Sequence, residues 1–277
     1  MIGLPERKGK APDFGPFLRK AIGPGGPSRA NQGNPELARH DIARAQCLAG
    51  LEGVTLQSDA QKATCQGRPM MVPIHEGGAA PKTCIDVFEF PNVPCELPFV
   101  WMPSTWARET CKAQGKRLCT QEEWVLACGG DPAGGGGGKA WKHAYGDELD
   151  LAACNTQKST KASGCDADTA GSAWKTCATL TEPSGSFPRC RSRFGVYDLH
   201  GNVAEEMTRL DPDGQVYSQL KGSAFFYVDV ARKPGDAAKR ENYLDHCGHD
   251  PRWHVEPIGE ALHANYHLGF RCCLSLD

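Results

Sequence analysis

Fourteen cysteines constrain this chain more than any other feature: positions 47, 65, 84, 95, 111, 119, 128, 154, 165, 177, 190, 247, 272 and 273. Their number is even, no two stand as Cys-x-x-Cys, and the intervals between them are irregular. Short-range zinc grips use that missing spacing. Disulfides are therefore the expected chemistry, and they imply an oxidising compartment: periplasm, cell surface or the extracellular space. The competing reading is a reducing cytosol with many buried thiols.

Composition removes other classes. A chain of 277 residues is long enough for one large domain with a substantial core. A formal net charge of −2 gives no global field for a polyanion, so nucleic acid is not an expected partner. No run of 18 apolar residues is present, so no membrane-spanning helix is expected. The opening MIGLPERKGKAPDF has no apolar leader core, so a secreted form would have lost its signal or carry it outside this chain.

Residues 1–67 read as an N-terminal arm, rich in Gly and Pro, with a short helix over 36–51. Cys47 and Cys65 are placed to close the loop after that helix. Residues 70–74 begin a strand, and the alternation in TCIDVFEFPN predicts another over 83–92. STWARETCKAQG predicts a helix capped by Ser104 and ended by Gly115. Thr120 and Glu123 form a capping box opening a second helix. On that helix Trp124, Ala127 and Cys128 share a face. DPAGGGGGKA lacks the Ser or Thr after Lys139 and the preceding strand that a nucleotide loop needs. Residues 141–192 are too polar for a large apolar core, so bridges among Cys154, Cys165, Cys177 and Cys190, or a bound cation, must hold them. GQVYSQLKGSAFFYVDV reads as strand, turn and strand, and HLGFRCCLSL as a closing strand.

RFGVYDLHGNVAEE, residues 193–206, concentrates Asp198, Gly201, Asn202, Glu205 and Glu206 in a stretch too Gly-broken for a helix. It suits a loop that turns around a cation, a plain turn or a catalytic centre. GKRLCTQEEWVLACGG, YGDE, FGVYDLHGNVAEE, KGSAF and LGFRCC occur in that order. Together they resemble the formylglycine-generating enzyme, or sulfatase-modifying factor, family over residues 68–277. The resemblance implies an α+β, irregular, loop-rich, C-type-lectin-like fold. It also implies a structural calcium held by the Asp198 side chain, the Gly201 and Val203 carbonyls and the Glu205 carboxylate, with Asn202 bracing the turn. An all-oxygen set of this kind suits a hard cation. A second calcium is implied at Asn155, Thr156 and Asp166 or Asp168. The family usually reads GNVWEW, where this chain has GNVAEE, so Glu206 is a charge without a family role.

By the same resemblance, Cys111 pairs with Cys272 and Cys128 with Cys247, and the additional Cys119 and Cys273 form a third staple. The family's enzyme binds copper(I) through two thiolates, which suits a soft ion. Counted back from Cys247, those positions hold Ala237 and Asn242, and residues 223–246 contain no cysteine. Copper and formylglycine formation are therefore not expected. His246, His249, His254, His263 and His267 are ligand types in one region, and iron is the weaker alternative, because a two-His, one-carboxylate motif is incomplete. A serine hydrolase built on Ser223 is weaker still, since GxSxG is absent. Two functions follow: a noncatalytic extracytoplasmic module that binds a protein, peptide or glycan, or a metal-dependent oxidoreductase with a changed site.

Overall fold

The computed structural model describes residues 33–133, 139–159, 176–228, 245–251 and 255–276. Residues 1–32 of the expected arm, together with Asp166, Asp168, Ala237, Asn242 and His254, lie outside them. The first described elements are short helices, α1 (Arg44–Gly50) and α2 (Asp59–Thr64). Strands β1 (Met71–Ile74) and β2 (Thr83–Asp86) follow, then α3 (Ser104–Ala113), β3 (Arg117–Leu118) and α4 (Gln121–Gly129). The later elements are all strands: β4 (Ala204–Leu210), β5 (Val216–Lys221), β6 (Leu268–Phe270) and β7 (Cys272–Ser275).

These strands form two small sheets, one ordered β1-β2-β7-β3 and the other β5-β4-β6. The first is antiparallel, with Ile85 opposite Cys273 and Leu118 opposite Cys272. In the second, β4 runs antiparallel to β5 and parallel to β6. Arg271 is the single residue between β6 and β7, so it stands where the chain passes from one sheet to the other. Phe88 stacks on Tyr197 and Phe90 on Phe270, with ring centroids 5.2 and 4.6 Å apart, and all four are buried. Each such side chain contributes about 1.5–3 kcal/mol by leaving water.

Local chemistry explains where the elements begin and end. The Thr120 hydroxyl accepts from Glu123 N–H at 3.2 Å, and the Glu123 carboxylate accepts from Thr120 N–H at 2.9 Å, which starts α4. Gly115, at φ +68°, ends α3 in the left-handed region. Ser104 is not the cap of α3. Pro103 holds that position, and the Ser104 hydroxyl donates instead to the Glu206 carboxylate on β4.

Three other expectations fail for identifiable reasons. The first helix starts at Arg44, well after residue 36, because the Asp41 and Ile42 amides are claimed by the Glu182 carboxylate. Strand β2 stops at Asp86, because Asn92 folds back to accept from Phe88 N–H and donate to Met70 O. Over the described residues 223–228 the expected strand does not form. Gly222 turns the chain at φ +71°, Phe225 N–H donates to Asn202 O, and β5 pairs with β4 upstream.

Candidate functional site

Between Asp198 and Asn202 the backbone enters the left-handed region three times: Asp198 at φ +57°, Gly201 at +70° and Asn202 at +56°. Asp and Asn tolerate that region better than most side chains, and glycine enters it freely. A Cβ on Gly201 would lie 2.3 Å from the Asn155 carbonyl oxygen, so two loops are pressed together there. The Asn202 side chain binds both: its amide donates to Glu89 at 2.7 Å and to Glu182 O at 3.1 Å, and its oxygen accepts from Asn155 and Glu182 N–H. Glu205 is not in the loop; it is the second residue of β4.

Beneath the coil lies a buried group of charges. Arg271 grips Glu205 through two hydrogen bonds, of 2.5 and 2.7 Å, and Trp124 Nε1–H donates to the same carboxylate at 3.1 Å. The same guanidinium donates to Tyr197 O at 2.9 Å. Asp198 accepts from Gly185 N–H at 2.6 Å, and Glu89 from Ser184 and from Val203 N–H. Burial pushes the Asp198 carboxyl up to about 7. Burial, then the charges of Asp198 and Glu205, push Glu89 well above the usual range. Three carboxyl groups thus face one guanidinium. If all ionise, the excess is two negative charges among oxygen donors, which a divalent hard cation would balance. Of the first calcium set, Asp198 and Glu205 supply carboxylate oxygens of the hard-donor kind that such an ion takes, though the Glu205 oxygens already accept from Arg271 and Trp124.

The second set is less open. The Thr156 carbonyl accepts from Val228 N–H at 3.0 Å, its hydroxyl donates to Leu151 O, and the Asn155 carbonyl accepts from Asn202 N–H. Asp166 lies outside the described residues.

Six disulfides join pairs of described cysteines: 47–95, 65–84, 111–272, 119–273, 128–247 and 154–190. Cys177 is bridged as well. The structure brings together all three pairs that the resemblance implies. It does not join Cys47 to Cys65. The Cys47 sulfur sits beside Ser184 O and is bonded to Cys95, while Cys65 is bonded to Cys84. Among the described residues no cysteine is free, so none offers a thiol for copper.

A second buried cluster lies behind Cys128–Cys247. His200 Nε2 accepts from Ala144 N–H at 3.0 Å, so Nδ1 carries the proton and donates to Asp245 at 2.8 Å. Asp245 also meets the Ser223 hydroxyl, which in turn accepts from Gly201 N–H. The acid stands between the serine and the histidine, so the order is not that of a nucleophile beside its base. His143 stacks on Tyr145 and lies edge-on to His200. Burial, then the neighbouring His200, lower its pKa to about 4.

The other expected histidines are dispersed. His249 N–H donates to His246 O in one turn, and His267 packs edge-on to Phe226 ahead of β6. Among the described residues, the groups of metal-ligating side chains within 4.8 Å of one another are Cys128–His200–Cys247 and Cys119–Glu123–Cys273. None of His246, His249, His263 and His267 belongs to either, and His254 lies outside the described residues. Glu89, His143, His200 and Arg271 were not selected from sequence. Glu89 stands in a run that reads as strand, and nothing local to any of the four marks it as buried.

Residues 93–275 match the family described as "Sulfatase-modifying factor enzyme 1-like domain". A mouse protein named inactive C-alpha-formylglycine-generating enzyme 2 is 28% identical over 181 residues, which is 65% of this chain and 50% of that protein. The chain thus spans about half the length of the curated relative it matches. A crystal structure of CarF matches with a TM-score of 0.43 and 16% identity, covering 86% of this chain and 85% of that one.

Proposed function

The chain belongs to the sulfatase-modifying factor enzyme 1-like domain family, and from that premise we propose that it is a noncatalytic, extracytoplasmic binding or scaffold protein. One observation carries this reading: every described cysteine is in a disulfide. Copper(I) held by thiolates needs two free sulfurs, and the described part of the chain commits its sulfur to cross-links. The mouse relative is itself named inactive, which supports the same reading. The disulfides support an oxidising location. On this reading the loop-rich surface takes a protein, peptide or glycan.

Calcium belongs to the proposal as a structural ion. Asp198 and Glu205, with the Gly201 and Val203 carbonyls, would hold it and stiffen the coil between Cys190 and β4. The deciding assay for catalysis is direct. The protein is supplied with copper(I), oxygen, a reductant and a Cys-x-Pro-x-Arg peptide, and the peptide mass is followed. Unchanged thiol mass is the expected result. Conversion of the peptide cysteine to the aldehyde would overturn the noncatalytic reading.

A further inference from the structure

The bridge between α4 and the 245–251 loop has the surroundings of a metal centre. Cys128 Sγ lies 3.4 Å from His200 Nε2, and one donor atom from each of Cys128, Cys247 and His200 lies within 4.8 Å of the others. All three residues are buried. We propose that Cys128, Cys247 and His200, with His143 beside them, form a redox-gated site for a zinc-like ion, closed while the disulfide stands and open once a dithiol reductant has cleaved it.

The histidine is prepared for this role. Metal-bound imidazoles characteristically donate their second ring N–H to a carboxylate, which fixes the tautomer and raises the basicity of the ligating nitrogen. His200 does this toward Asp245 at 2.8 Å. Its Nε2 lone pair faces the Ala144 N–H, at 3.0 Å, and the Cys128 sulfur. An ion at Nε2 would displace only that one amide.

A second, independent observation points to the same place. His143 is 3% exposed, and no well-formed hydrogen bond reaches either ring nitrogen, although the Asp245 backbone lies close enough to act on the charge of the ring. Buried imidazole nitrogens without partners are uncommon and call for an explanation such as an unseen ion or water. The ring lies 5.6 Å from that of His200, centroid to centroid. A fourth ligand from His143 would complete a Cys2His2 tetrahedron, the composition of structural zinc sites.

The chemistry balances. A dithiol gives two electrons and two protons to the bridge, leaving two cysteine thiols and a cyclic disulfide of the reductant. Binding a divalent ion releases both thiol protons to solvent, and two thiolates neutralise the ion, which suits a buried site. The sulfurs, now 2.04 Å apart, would separate to about 3.8 Å around an ion with bonds of about 2.3 Å. The other group, Cys119–Glu123–Cys273, lacks this preparation. Its Glu123 oxygens already serve Arg117, Thr83 and Thr120.

The test titrates the oxidised protein with a trialkylphosphine in the presence of cobalt(II), while mass mapping records which bridges open. A near-ultraviolet thiolate-to-cobalt band with tetrahedral d–d bands should rise in proportion to opened Cys128–Cys247, and the oxidised protein should show neither. The pair C128S and C247S should lose the bands with its other bridges intact. Because that pair could fail to fold, His200→Gln is the second variant. It keeps the disulfide when oxidised, and its cobalt affinity on reduction should fall tenfold or more. Asp245→Asn, acting through His200, should weaken binding by about 10–100-fold. The proposal is overturned if the bridge is shown open without the bands, if the bands persist in C128S/C247S, or if His200→Gln binds like wild type.

Discussion

At the scale of single residues, Arg271 decides how the negative charge of the 198–205 region is held. Its guanidinium is fully buried, binds both Glu205 oxygens and touches Tyr197 O, so it ties β4 to the end of β6. Removing one partner of a buried pair leaves the other charge without compensation, at a cost of about 3–5 kcal/mol. Arg271→Met should lose about that much in urea unfolding, and Arg271→Met with Glu205→Gln should recover a large part of it. If the single and double variants are equally destabilised, the pair is not the cause. Asp198 tests the proposed calcium. Wild-type protein should melt at higher temperature with calcium than with a chelator, and Asp198→Asn should lose most of that difference. A variant that retains the full shift would return Asp198 to the role of a turn residue.

At the scale of elements, the GKRLCTQEEW segment shows how a short motif is spent on structure. Lys116 donates to the buried Asp86 at 2.6 Å, Leu118 enters the core, Cys119 is bridged, and Thr120 caps α4. Glu123 closes the capping box and also takes Arg117 and Thr83. Burial opposes its charge, but the Arg117 guanidinium and the Thr120 and Thr83 donors outweigh burial and lower its pKa. A carboxylate whose folded value lies below its unfolded value of about 4.5 stabilises fully above that pH. Its contribution fades as pH falls through the lowered folded value. Stability measured between pH 7 and pH 2 should therefore drop more steeply in wild type than in Glu123→Gln, which begins lower at pH 7. Parallel curves would show that the carboxylate's charge contributes nothing to α4.

At the scale of the whole molecule, two long-range disulfides clamp α3 and the residue after β3 to the last strand. Cys111–Cys272 and Cys119–Cys273 span 161 and 154 residues, and both end on β7. In the chain-entropy model, loops above about 100 residues correspond to roughly 4.7 kcal/mol or more per bridge. The two bridges close nearly the same loop, so the second adds much less than the first. Cys119→Ser with Cys273→Ser should cost clearly less than that figure while Cys111–Cys272 is intact, and much more when it is absent. Equal losses in the two backgrounds would mean that the bridges act independently.

What the sequence determined alone was chemistry that acts locally. The even, scattered cysteines signalled disulfides, the Thr120–Glu123 spacing started a helix, and Asp, Gly and Asn marked positions that accept left-handed backbone. The motifs in order carried the family and its loop-rich α+β fold, because each residue of such a motif is tied to a fixed neighbour. Only the tertiary structure decided the rest. Cys47 lies 18 positions from Cys65 in the chain, yet its partner is Cys95, because the closing geometry is set by the 182–184 segment and not by separation along the chain. The sequence pattern pairs β5 with the segment after Gly222, whereas the structure pairs it with β4, whose opening residues read as a loop. The buried groups gathered around Arg271 and around His200 come from segments as far as 185 residues apart. Their proximity, and the burial that raises Asp198 and lowers His143, exists only once the two sheets have closed over them.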